Sequence, residues 1–121
     1  MVKRNVRARL ADILRAIEQI EDALGSNDFG GFSQNVIVCA AVERFIEIIA
    51  EASRHIPSEM TDRHPTIPWI EVRGIGNRLR HDYNKVDVFV VWRTATTSMP
   101  ELKSVILAML AEIDRDSSTK N

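Results

Sequence analysis

With 121 residues, 45% apolar and 27% charged, the chain has an ordinary globular balance and the length of one domain. A formal net charge of −1 excludes a global field that would attract nucleic acid or an anionic membrane. The lone Cys39 excludes an internal disulfide, no Cys/His cluster has zinc-ligand spacing, and no window approaches the roughly 20 apolar residues of a membrane span.

In chain order, Val6, Leu10, Ile13, Leu14, Ile17, Ile20 and Leu24 recur at helical spacing opposite Arg9, Asp12, Arg15, Glu18, Gln19 and Asp22. This predicts an amphipathic first helix stopping near Gly25. Asn-Asp and Gly-Gly between Ser26 and Phe32 mark a loop, and Ser33 is the candidate N-cap of a second helix reaching about Ile56, before Pro57. Its apolar arc of Ile37, Ala40, Ala41, Phe45, Ile48, Ile49, Ala52 and Ile56 is wide enough to place it centrally. Glu47 and Glu51 on it read as surface residues or as partners of an arginine of the third helix. Cys39 lies in an apolar run and reads as a buried, inert thiol.

Pro57 to Pro68 is a connector with three prolines, too polar to bury, with His55 and His64 as surface residues beside it. Pro68 suits the first turn of a third helix from Trp69, with Ile70, Ile75 and Leu79 as core positions. Gly74 and Gly76 weaken that helix by roughly 1 kcal/mol each and so need a reason, either close packing or room for a ligand. Val86 to Trp92 has β-branched content, but a lone strand would have no partner, so a short helix is expected. A last helix is expected from Pro100 to about Ile113, with residues 114–121 frayed beyond a domain of residues 1–113. The whole reads as an all-α antiparallel bundle with a four-helix core and a short extra helix. The N-terminus lacks an apolar signal core, which predicts a cytoplasmic protein.

Chemistry concentrates late in the third helix. From Asp62 to Lys85 there are five basic residues (Arg63, Arg73, Arg78, Arg80, Lys85) against three acidic ones, and Asn77-Arg78-Leu79-Arg80-His81-Asp82-Tyr83 groups an amide, two guanidiniums, an imidazole and a phenol. Such a cluster suits phosphate-ester chemistry. An imidazole can shuttle a proton near neutral pH, and a guanidinium can donate to two phosphate oxygens at once.

Several motifs in order carry a family resemblance. Leu10-Ala-Asp-Ile-Leu14, Val42-Glu-Arg-Phe-Ile-Glu-Ile-Ile-Ala-Glu-Ala52 (with Ala50 where a glycine is usual), Ile67-Pro-Trp-Ile70, Gly74 to Tyr83, and Val86 to Trp92 with Met99-Pro-Glu-Leu102 together resemble the HEPN superfamily. Within it they resemble the HepT-like toxins. The resemblance implies a metal-independent endoribonuclease of a toxin–antitoxin pair, in which ribose 2′-hydroxyl attack leaves a cyclic phosphate. It also implies an RNA substrate, a homodimer with a composite site, no cofactor or metal, and a minimal nucleotidyltransferase antitoxin that transfers AMP to the family's tyrosine.

Residue by residue, His81 and Tyr83 match the family's His-x-Tyr, and Asn77 matches the polar residue after its arginine; Gly76 stands where that arginine is expected. Arg73 and Arg80, three before and four after Gly76, share its helix face and are the candidate substitutes, whereas Arg78 is turned about 200° away. The alternative, from another class, is a non-catalytic subunit that binds the nucleotidyltransferase and presents Tyr83 or a nucleotide groove.

Overall fold

The computed structural model describes residues 2–81 and 87–119, with side chains at 5–76 and 87–116. Among these residues there is no strand, and the chain forms an all-α bundle. The elements are α1 (Val2–Leu24), α2 (Phe29–Gln34), α3 (Val36–Ser53), α4 (Ser58–Thr61), α5 (Trp69–His81), α6 (Val88–Arg93) and α7 (Met99–Thr119), with a π-helical turn, Thr94–Ser98, between the last two.

The stripe read from the first helix is the one that packs: Leu10, Ile13, Ile17 and Ile20 are fully buried. The helix ends at Leu24, and Gly25 at φ 53° takes the left-handed conformation that closes a helix C-terminus without a Cβ penalty. Opposite α1 lie Val42, Ile46 and Ile49 of α3 and Leu102, Ile106 and Met109 of α7, also inaccessible to solvent or nearly so. The pairs Arg7–Asp114 and Lys103–Glu21, each at 2.9 Å, join opposite ends of α1 and α7 and show that the two helices run antiparallel. Exposed as they are, such pairs contribute about 0–1 kcal/mol each and mark register more than stability. Against α5, α3 is antiparallel too: Arg54 meets Arg73, while Gly76 meets Glu47 and Ala50.

Several boundaries differ from the sequence reading. The expected loop from Ser26 to Phe32 contains the start of α2, because the Asp28 carboxylate accepts from Gly31 N–H at 2.8 Å and caps it. Ser33 is not the cap of α3, since its hydroxyl donates back to the Gly30 carbonyl. Asn35 is the cap, accepting from Val38 N–H at 3.1 Å, so α3 starts later, and it ends at Ser53 rather than Ile56. Ile37 and Ile70, read as core, are 82% and 85% exposed, and Ala40 is exposed as well. Both isoleucines lie in the first turn or two of their helices, where one face still overhangs solvent. Leu79 lies outside the described side chains.

The connector is not wholly exposed either. It forms α4 and buries Thr61 and Ile67, and His64 is no surface residue: its Nε2 lies 3.2 Å from Glu112 Oε1 of α7, while Arg63 sits 3.5 Å from the other oxygen. Trp69 Nε1 donates to the His64 carbonyl at 3.0 Å, so Trp69 is a core residue.

Val88–Arg93 is helical, as the missing strand partner requires, with Asp87 as its N-cap. The expected break before Pro100 is absent. Pro100 has no N–H and its ring would collide with the carbonyl four residues back. The wider π-helical turn relieves this: Met99 N–H donates to the Thr94 carbonyl five back, and the path continues into α7. That helix runs through Thr119, so residues 114–119 are helical rather than frayed, with Asp114 held by Arg7.

If Asn35 caps α3, Asn35→Ala should lower unfolding stability by about 1 kcal/mol. Ser33→Ala should cost clearly less, and equal losses in chemical denaturation would contradict the assignment.

Candidate functional site

Pro68 opens α5, its carbonyl accepting from Val72 N–H at 3.0 Å, and Glu71 places an acid in the first turn, where the helix dipole favours it. The helix then carries Arg73, Gly74, Gly76, Asn77, Arg80 and His81 along its length. The two glycines have different surroundings. A Cβ on Gly74 would meet open space, and nothing in the structure explains that glycine. Gly76 is buried against α3, where a Cβ would lie 3.5 Å from Ala50 Cβ and 3.7 Å from Glu47 Cα. Those are ordinary van der Waals distances, so the site admits a Cβ, and the absent side chain is not forced by a clash.

Arg73 is committed to the end of α3. Its Nε faces the Ser53 carbonyl at 3.5 Å, and its own carbonyl accepts from Arg54 Nη2 at 3.0 Å. A guanidinium beside the terminal carbonyls of a helix is in its favourable electrostatic position. Arg73 therefore sits on the side of Gly76 away from His81, the last residue of α5. Asn77, Arg80 and His81 belong to α5, but their side chains lie outside the described ones. Tyr83 lies outside the described residues altogether. Among the described side chains, Glu51 pairs with Arg54 at 2.8 Å and approaches His55 at 3.8 Å.

Sequence reasoning missed a cavity of about 310 Å³ beside Gly76, between α1, α3 and α5. Arg9 and Asp12 of α1, Arg44, Glu47 and Glu51 of α3, and Gly76 line it. In the sequence Arg9 reads as part of the polar face of the first helix and Arg44 only as a member of the Val42–Ala52 motif, and no local motif joins them.

Two groups on α3 are electrostatically perturbed. Burial, helped by the nearby Glu47, raises the Glu43 pKa above its ordinary value of 4.5. Burial also pushes the Cys39 thiol up, and its Sγ lies 3.1 Å from the Phe32 carbonyl, which makes it an inert core group. Among the described residues no group of His, Cys, Asp or Glu could hold a metal ion, and no helix is long and apolar enough to cross a membrane.

Because Glu43 is raised, the fold favours its neutral form. Its stabilising contribution is fully present below the ordinary carboxylate value and is lost as pH rises through the folded value. Glu43→Gln should therefore raise the thermal midpoint at pH 7 and leave it nearly unchanged at pH 4. A midpoint that does not move at pH 7 would contradict the burial argument.

Comparison with known proteins places the chain in a family. The family described as "Ribonuclease HepT-like" matches residues 13–109, from the core of α1 to that of α7. The protein named "Probable ribonuclease HepT" of Thermococcus cleftensis is 40% identical over 102 residues, covering 84% of this chain and 93% of that one. From Methanocaldococcus jannaschii, "Putative RNase MJ1216" and "Putative RNase MJ0125" are each 33% identical over 114 residues, covering 94% of this chain and 94% and 98% of theirs. No solved structure matches it.

Proposed function

The chain belongs to the HepT-like ribonucleases of the HEPN superfamily, and from that membership we propose that it cleaves RNA without a metal, using the late part of α5. The observation that carries this reading is a family match over residues 13–109, a span that runs through α5; within that span His81 and Tyr83 resemble the family's His-x-Tyr.

The chemistry is that of internal transesterification. The ribose 2′-oxygen attacks the adjacent phosphorus as its proton is taken up, the 5′-oxygen leaves with a proton, and a 2′,3′-cyclic phosphate remains. His81, whose unperturbed pKa of ~6.5 suits both transfers, is the acid/base. Arg80, one turn beyond Gly76 and next to His81, supplies positive charge to the phosphorane, and Asn77 donates hydrogen bonds to it. Arg73 reaches the same phosphate only by leaving the Ser53 carbonyl, a long contact at 3.5 Å that costs little to break. In a homodimer two such segments facing one another would make a groove for single-stranded RNA, which a net charge of −1 on one chain does not by itself suggest.

Control falls to Tyr83, two residues past the acid/base. A minimal nucleotidyltransferase antitoxin transfers AMP from ATP to its phenol oxygen, which loses its proton as pyrophosphate leaves, and the added phosphodiester anion repels a phosphate backbone from His81. Such a pair operates in the cytoplasm.

A second reading, a non-catalytic subunit that binds the nucleotidyltransferase, draws on Gly76, which removes the arginine that catalysis in this family uses. The two separate in a cleavage assay on single-stranded RNA. Removing a general acid/base should cost about 10²–10⁴ in rate, so His81→Ala should fall that far below the wild type. Equal, background-level rates from both proteins would leave only the binding reading. Independently, co-expression with the cognate nucleotidyltransferase should add AMP to Tyr83, seen by peptide mass spectrometry, and Tyr83→Phe should abolish the mass gain. An unmodified Tyr83 peptide from co-expressed protein would remove this control step.

A further inference from the structure

We infer that the cavity beside Gly76 is a phosphate subsite, in which Arg9 of α1 and Arg44 of α3 hold the backbone of the RNA strand that reaches His81. The inference rests on the ribonuclease reading and names residues outside α5 that serve it.

The charge arrangement carries the argument. Three carboxylates line the cavity with these arginines, but each is engaged. Glu51 is bound by Arg54 at 2.8 Å, Asp12 faces Arg15 at 3.5 Å, and Glu47 has an interaction of its own. Arg9 and Arg44 make no ion pair or hydrogen bond with any described residue, although both line the same solvent-open cavity. Two like-charged guanidiniums sharing a cavity repel each other, and an anion between them reverses the sign of that interaction. Each also brings the planar fork that matches two phosphate oxygens.

Shape agrees. About 310 Å³ is at the lower end for ligand pockets, enough for a phosphate with part of its sugar. Glycine at 76 keeps the floor of the cavity open. A longer side chain there would start 3.5 Å from Ala50 Cβ and would have to extend into the cavity that Gly76 helps line. The positive charge missing from α5 is thus supplied to the same space by α1 and α3. Along the helix axis, positions 76 and 81 are ~7.5 Å apart at ~1.5 Å per residue, within reach of neighbouring phosphates on one strand.

The test is binding of a fluorescent single-stranded RNA, fully 2′-O-methylated so that it cannot be cleaved, followed by anisotropy across a salt series. Wild type and His81→Ala should bind alike. Arg9→Ala/Arg44→Ala should bind roughly tenfold or more weakly near 0.1 M salt, and its plot of log K against log salt should flatten by ~0.7 for each phosphate that is no longer neutralised. Arg9→Lys/Arg44→Lys, which keeps the charge and the fold but loses the fork, should lie between. Lys103→Ala, on the α1–α7 face, should bind as wild type does.

If wild type cleaves RNA while the double alanine variant keeps wild-type Kd and slope, the subsite is overturned and the ribonuclease reading stands. If wild type neither binds nor cleaves RNA, both fall together. Arginine-dependent binding of free AMP or inorganic phosphate, without RNA binding, would overturn the RNA assignment.

Discussion

Burial of the central helix governs the rest of the structure. The α3 stripe of Val42, Ile46 and Ile49 is closed to solvent, and no single neighbour can cover it. α1 lies along it on one side and α5 on another, with α2 and α6 closing its beginning. At roughly 25 cal/mol for each Å² of apolar surface removed from water, this burial exceeds anything the exposed ion pairs supply. The assembly of α1, α3 and α5 is therefore set by an apolar stripe, and the polar residues at its margins are carried into place by it.

The position of the chemistry follows from that assembly. α5 approaches α3 at Gly76, opposite Ala50 and Glu47, and the antiparallel register directs the far half of α5 toward the beginning of α3 rather than its end. Near the end of α3, Arg54 and Arg73 tie the two helices together through backbone carbonyls. One length of α5 is thus engaged in holding the bundle, and the next borders a cavity lined by two guanidiniums that make no ion pair or hydrogen bond among the described residues. The same helix can be a structural member at its start and present chemistry at its end because the two tasks use different turns.

What could be read in the sequence divides along physical lines. The α1 stripe was legible because seven apolar residues repeat at one period and Gly25 supplies the stop. Val88–Arg93 was legible by exclusion, since a strand without a partner cannot satisfy its backbone. Ser33 and Asn35 are both good cap residues two positions apart, and only the Asp28-capped turn before them decides between the two. Ile37 and Ile70 fit an apolar period, but whether a given face meets a neighbour depends on tertiary packing that no local pattern contains. The same holds for the site. His81, Tyr83 and the gap at Gly76 lie within eight residues and carried the family resemblance. Arg9 and Arg44 come from different helices and meet only after folding.

One feature of the backbone bears on how this fold tolerates change in length. The π-helical turn at Thr94–Ser98 adds one residue to an otherwise continuous helical path, which turns everything after it by about 100° relative to an unbroken α-helix. With that turn in place, Val91 faces the core from α6 while Leu102, Ile106 and Met109 face it from α7. Removing one residue there would do more than shorten the path. It would wind the apolar side of α7 out of the core and return Pro100 to a geometry it cannot adopt. In this stretch chain length acts as a setting of angle, so an insertion or deletion harmless in the connector before α5 would here reassign which residues are inside.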